Sequence, residues 1–193
     1  MLDALIEFDH YLFLLINKIW VFKMGDIVFP WVRQAQHWYL FYIILLVFAY
    51  FVFKKKFFYW LVFLAGTIAF TDQLSSSLFK PLFGRLRPCA DPQFLSQIRL
   101  LVPCPSLSYS FTSSHAFNHF AAAIFFFRSF KPYMKNFSYV FFLWAALICY
   151  GQIYVGVHFP FDIIVGAILG LIFGNIIYNF FLQKSFYKNI SKS

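Results

Sequence analysis

Five stretches of this chain are apolar over about the length needed to cross a lipid bilayer, and that restricts its fold more than any other feature. They run over roughly 37–53, 57–79, 115–130, 136–157 and 159–182. A spanning helix needs about 20 mostly apolar residues. Hydrocarbon offers no water to satisfy a backbone, so such segments fold as helices. Composition agrees: 62% of the 193 residues are hydrophobic and 12% are charged, against about 45–50% apolar residues in a soluble domain. The expectation is an all-α integral membrane bundle of one domain over 1–193, since no repeat, low-complexity tract or linker divides it.

The stretch 2–22 is also helical in pattern, but Asp3, Glu7, Asp9, His10, Asn17 and Lys18 interrupt it at both ends. It reads as a helix lying in the membrane interface, with a sixth span as the alternative. The first residues carry acids and no basic n-region, and no small-residue cleavage site follows, which argues against a secretory signal peptide.

Charge sets the orientation. If the turn at 54–56 faces the cytoplasm, that side collects Lys54, Lys55, Lys56, Arg128, Lys131, Lys135, Lys184, Lys188 and Lys192, and no acid. The other side carries Lys18, Lys23, Arg33, Lys80, Arg85, Arg87 and Arg99 together with Asp3, Glu7, Asp9, Asp26 and Asp91. The bias of basic residues toward short cytoplasmic loops then places the C-terminus inside the cell membrane and the long loop of roughly 81–112 outside. The net charge of +9 is accounted for by topology and catalysis and requires no nucleic-acid partner. No obligatory protein partner is evident.

This topology gathers three groups of polar residues at one membrane face. His158 and Asp162, four residues apart, read as an imidazole and an orienting carboxylate on one helical face. Lys80 and Arg87, in KPLFGRLRP, supply cations for nonbridging phosphate oxygens. Ser113, Ser114 and His115, in SFTSSHAFNHF, open a helix whose free amides point at an anion. In this arrangement His158 attacks phosphorus and His115 protonates the leaving alkoxide. Taken singly, each group has a blander reading: an interfacial His–Asp pair, snorkelling cations, an ordinary N-cap.

Together these residues resemble the type-2 phosphatidic acid phosphatase superfamily, with motifs K-x6-R-P, P-S-G-H and S-R-x5-H-x3-D. Lys80, Arg87 and Pro88 match the first in full. Ser113 and His115 match the second, with Thr112 for Pro and Ser114 for Gly. His158 and Asp162 match the third, but Gly151 and Gln152 stand where the family has Ser and Arg. The resemblance covers about 57–182. It implies a metal-free, cofactor-free lipid phosphatase acting through a phosphohistidine. His158 is then the nucleophile, Asp162 its orienting group and His115 the acid and later the base, while Lys80, Arg87, Ser113, Ser114 and Gln152 bind phosphate. Undecaprenyl diphosphate is the favoured lipid phosphate substrate, with phosphatidic acid, phosphatidylglycerophosphate and lipid A as alternatives. A catalytically inactive lipid-phosphate-binding protein is the alternative of another class, because Gln152 replaces a bidentate cation with a neutral amide.

Four further features remain. Asp72, a charge inside a span, is expected to face the bundle with a partner, either supporting a cation such as Lys80 or making a purely structural hydrogen bond. His119, one turn after His115, is expected to pack inside, with substrate contact as the alternative. Gly166, Gly170 and Gly174, every four residues, read as a close helix-packing face. Cys149 reads as packing, while Cys89 and Cys104 flank the outer loop and suit a loop-stapling disulfide. No Cys or His cluster has zinc spacing.

Overall fold

The computed structural model describes residues 2–105 and 109–183. The expectations for Lys184, Lys188, Lys192 and a cytoplasmic C-terminus lie outside these residues. Among the described residues there are no strands, and the α-helices are α1 Leu2–Leu14, α2 Lys23–Val32, α3 Tyr39–Phe53, α4 Phe57–Gln73, α5 Lys80–Phe83, α6 Ser114–Met134, α7 Val140–Tyr154 and α8 Pro160–Ile177.

The apolar stretches map onto α3, α4 with its extension, α6, α7 and α8. At 1.5 Å per residue, the 15 residues of α3 rise roughly 22 Å, and the 3₁₀ turn Ala35–Trp38 ahead of it adds to that length. α4 continues without a break through a π-helical turn, Leu74–Phe79, into α5. Gly84 ends this run in the left-handed conformation, with φ of 57°, where a side chain would be strained.

The N-terminal region departs from the single helix expected over 2–22. α1 ends at Leu14, a π-helical turn follows over Leu15–Ile19, and a separate helix α2 begins at Lys23. The 13 residues of α1 and the five of the π-helical turn that continues it rise roughly 27 Å at most, a little short of a bilayer core of about 30 Å. The sequence reading missed α2 because it is ten residues long with Pro30 inside it, too short and too interrupted to register as a span.

α6 is the central helix and packs against α4, α7 and α8. Its contact with α8 is the most extensive, and glycine makes it possible. A Cβ at Gly166 would come within 2.9 Å of the Ser113 carbonyl oxygen, and one at Gly174 within 2.8 Å of that of Ala121. Bare backbone on α8 therefore lets the two helices approach closely. Away from the loop end, Trp60, Phe125, Phe126, Phe130 and Phe141 form a buried aromatic core. The outward faces carry large exposed apolar side chains such as Leu40, Phe51, Val62 and Leu143, the inverse of a soluble surface and suited to lipid contact.

The long loop is tied down at several points. A disulfide joins Cys89 to Cys104, with Cα atoms 5.8 Å apart. Asn17 Nδ2 donates to the carbonyls of Arg99 and Tyr154 at 2.8 Å each, and Arg99 pairs with Asp26 at 2.7 Å. Gly156 turns the chain out of α7 at φ 91°, and a Cβ there would stand 2.7 Å from the Arg99 carbonyl oxygen. Loop, N-terminal segment and the residues leading to His158 are thus fixed to one another. Cys149 is buried in α7 as a free thiol.

Candidate active site

The polar residues converge where the N-termini of α6 and α8 meet. Pro160 opens α8, and Asp162, at the third helical position, turns its carboxylate back so that Oδ2 accepts from the Phe159 amide at 2.9 Å. This is the acidic half of a capping box. His158 therefore precedes the helix, whereas the sequence had placed both residues on one helical face. The cap sets the same Oδ2 3.4 Å from His158 Nδ1. The Ser113 amide donates to the Asp162 carbonyl at 3.1 Å, and Ser113 Oγ caps α6 by accepting from the Ala116 amide at 3.4 Å. The start of α6 is in this way fastened to the start of α8.

On its other nitrogen, His158 Nε2 stands 2.9 Å from Arg87 Nη1, which also donates to the Val157 carbonyl at 3.0 Å. An arginine only donates, so Nε2 is the acceptor and Nδ1–H faces Asp162. Burial pushes the His158 pKa well below its ordinary 6.5, reinforced by the charges of Arg87, Lys80 and Arg33. Burial likewise lowers Arg87 to about 10, leaving it charged at neutral pH. The result is a neutral, oriented imidazole in a cationic surrounding.

Two residues with no assigned role in the sequence complete this arrangement. Arg85 bridges Asp162 Oδ1 at 2.8 Å and Asp9 Oδ2 at 2.6 Å. Asp9, 1% exposed, also accepts from the Phe161 amide at 2.8 Å, which pins α1 onto the start of α8. Arg85 fell among the unspecified positions of K-x6-R-P. Asp9 gave the usable signal, an acid within an otherwise apolar helical stretch.

The other expected residues are placed as follows. Lys80 begins α5, half-buried. His115 lies in the first turn of α6, whose leading amides have no helical acceptor. The Ser114 hydroxyl is engaged by Ser75 Oγ at 2.9 Å, so its amide is what remains for an anion. Asp72 accepts from Asn118 Nδ2 at 2.8 Å and is exposed. Its hydrogen bond thus goes to α6 and, among the described residues, not to Lys80, although its charge does act on Lys80. His119 Nδ1 lies 2.7 Å from the His115 carbonyl oxygen, and its ring packs 5.0 Å from that of Trp144. Gln152 is fully buried, with Oε1 accepting from Arg33 Nε at 3.2 Å. An apolar cavity of about 380 Å³ lies below, lined by Tyr42, Leu46, Leu64, Ile68, His119 and Trp144 among others. Among the described residues no three His, Cys, Asp or Glu side chains are grouped to hold a metal ion.

Comparison with known proteins extends this picture. The chain is 33% identical over 187 residues to lipid A 4'-phosphatase of Porphyromonas gingivalis, covering 94% of this chain and 76% of the relative. It is 35% identical over 126 residues to lipid A 4'-phosphatase of Bacteroides thetaiotaomicron, covering 65% of this chain and 55% of that relative. The crystal structure of Aquifex aeolicus LpxE superposes with a TM-score of 0.67 at 30% identity, covering 88% of this chain and 93% of that one. A transmembrane PAP2-type phosphatidylglycerolphosphate phosphatase from Bacillus subtilis shares the fold, at TM-score 0.67 and 18% identity over 92% of this chain and 86% of that one. The PAP2 superfamily model matches residues 59–186, the segment that carries all three motifs, and the chain belongs to that superfamily of membrane lipid phosphatases.

Proposed function

We propose that this protein removes a phosphate from a lipid A-type glycolipid at the outer face of the inner membrane. The observation that carries the catalytic reading is the neutral His158, with Nδ1 on Asp162 and Nε2 on Arg87. The substrate reading rests on the relatives: those that align along the chain are named lipid A 4'-phosphatases. They favour lipid A over the undecaprenyl diphosphate expected from sequence. The apolar cavity beside His119 offers room for part of an acyl chain.

In the first step, a nonbridging phosphate oxygen takes over the Arg87 guanidinium, which releases the Nε2 lone pair. Nε2 then attacks phosphorus opposite the ester oxygen. As the P–O bond to the sugar breaks, His115, entering this step as the imidazolium, gives its proton to the departing alkoxide and is left neutral. Lys80, Arg87 and the amides at the start of α6 balance the charge that gathers on the equatorial oxygens. Asp162 stabilises the cationic imidazole ring through Nδ1–H. Water then attacks the phosphorus as His115 takes its proton, the N–P bond breaks, and inorganic phosphate leaves with Nε2 restored.

The Cys89–Cys104 disulfide supports an outward-facing loop, since such bonds persist in oxidising compartments. So does the lysine-rich far end. The test is inorganic phosphate release by purified protein from lipid A, undecaprenyl diphosphate, phosphatidic acid and phosphatidylglycerophosphate, with and without EDTA. Highest kcat/KM on lipid A, unaffected by EDTA, is expected. Preference for another lipid would overturn the substrate. Loss in EDTA that added zinc or magnesium restores would overturn the metal-free mechanism. Anion binding without turnover on any lipid would establish an inactive binding protein.

A further inference from the structure

Arg33 closes α2, outside the segment 59–186 that matches the superfamily, yet it reaches the third motif. Its Nε donates to Gln152 Oε1 at 3.2 Å, while Nη1 and Nη2 make no hydrogen bond to any described residue. Among the described residues no carboxylate pairs with it. Gln152 itself is 0% exposed, and its Nε2 has no hydrogen-bond partner. A buried donor left unmade is costly, so such a site is complete only with an acceptor present. The neighbouring position explains how α2 comes so close. A Cβ on Gly151 would stand 3.4 Å from the Phe29 carbonyl oxygen and 3.8 Å from Arg33 Cβ. Glycine at 151 and glutamine at 152 are together the surface on which the end of α2 rests.

We propose that Arg33 is a phosphate-binding residue of this active site, held in place by Gln152, whose Nε2 donates to the same phosphate. The guanidinium that the family pattern mounts on residue 152 is supplied here from α2, and Gln152 serves as its bracket. Nε is spent on that bracket, so the two terminal nitrogens are presented as a fork, the geometry that grips phosphate oxygens in pairs. The charge of Arg33 acts on both His158 and Arg87, which places it in the same electrostatic field as the nucleophile. On this view the exchange of arginine for glutamine relocates the cation and leaves the site catalytically complete. The assignment rests on the phosphatase reading above.

The experiment uses the full chain in detergent micelles, with lipid A turnover and calorimetric binding of orthovanadate as readouts, and thermal unfolding to confirm folding. Arg33→Ala should lower kcat/KM and weaken vanadate binding by about 100-fold. Arg33→Lys, which keeps the charge but not the fork, should lose about tenfold. Gln152→Arg in the Arg33→Ala background should restore most of both losses, which no structural role for Arg33 would produce. Gln152→Arg alone should slow turnover by crowding two guanidinium groups. Wild-type kcat/KM and vanadate affinity in folded Arg33→Ala would overturn the proposal. So would a folded double variant no better than Arg33→Ala, and, should Arg33→Ala not fold, wild-type behaviour of Arg33→Lys. Absence of turnover in the wild type would sink the enzymatic reading instead, and vanadate binding by the variants would still decide the role of Arg33.

Discussion

The two ends of this bundle are built on opposite principles. At the loop end, Asp9, Arg87, Gln152, His158 and Asp162 are all buried, and each depends on another for its hydrogen bonds or its counter-charge. At the far end, Trp60, Phe125, Phe126, Phe130 and Phe141 pack ring against ring, while Lys54, Lys55, Lys131 and Lys135 are exposed. Dispersion and exclusion from solvent tolerate loss piece by piece. A buried charge network does not, because removing one member strands the rest. The far end therefore holds the helices together, and the loop end uses that rigidity to keep charge where water would otherwise solvate it.

The largest expected effect is chemical and confined to the loop end. His158→Ala should lower phosphate release by more than about 1000-fold in protein that still folds and inserts, and a variant retaining near wild-type turnover would show that the nucleophile lies elsewhere. Next, Arg85→Ala should damage both properties at once, because it leaves Asp9 and Asp162 buried without their shared cation. We expect about 2–3 kcal/mol of lost stability, discounted for the partial exposure of Arg85. Adding Asp9→Asn should recover part of the stability and none of the activity. If Arg85→Ala were as stable as wild type, the loop end would not be the interdependent network described.

Trp60→Ala tests the other end. Removing a fully buried indole and its hydrogen bond to Ser129 Oγ should cost about 3 kcal/mol or more, while kcat of the folded fraction stays within about twofold. A specific loss of kcat would show that the two ends are coupled. The smallest effect is on pH dependence. Burial, together with the charges of Arg87, Lys80 and Arg33, lowers the pKa of His158 from 6.5, and in the proposed mechanism the deprotonated form is the nucleophile. kcat/KM of the free enzyme should therefore hold as pH falls through 6.5, with its acid limb below. Lys80→Met removes one of the depressing charges, so its acid limb should move up toward 6.5. Comparing the two proteins cancels the ionisation of the substrate itself. For stability the sign is the reverse. The unfolded chain takes up a proton at His158 near 6.5 and the folded chain does not, so this group disfavours folding increasingly as pH drops below 6.5.

What could be read from the sequence follows the same division. Lys80, Arg87, Ser113, His115, His158 and Asp162 were legible because each lies at or just beyond a helix end at a fixed spacing, and the span pattern alone brings those ends to one face. Cys89 and Cys104 were legible from their place in the long loop. Asp9, Arg85 and Arg33 were not, because their partners lie across the fold: Arg85 meets Asp9 and Asp162 at separations of 76 and 77 residues, and Arg33 meets Gln152 at 119. No local pattern encodes such pairings. The Ser75 hydroxyl that takes Ser114 was equally hidden, since it depends on the π-helical turn at the end of α4. For Asp9 an acid in an apolar setting marked the residue as partnered, without saying by what.

The contact between Arg87 and His158 Nε2 carries a consequence for selectivity over time as well as over ligands. A bare buried imidazole would be open to whatever electrophile reached it, and membranes contain acyl esters in great excess over phosphate monoesters. With an N–H of Arg87 lodged 2.9 Å from the lone pair, the nucleophile of the proposed mechanism is disarmed at rest. Only a ligand with enough negative charge to draw the guanidinium onto itself frees the nitrogen, and a carboxylic ester has no such charge. In that mechanism reactivity is thereby made conditional on the arrival of the group to be transferred.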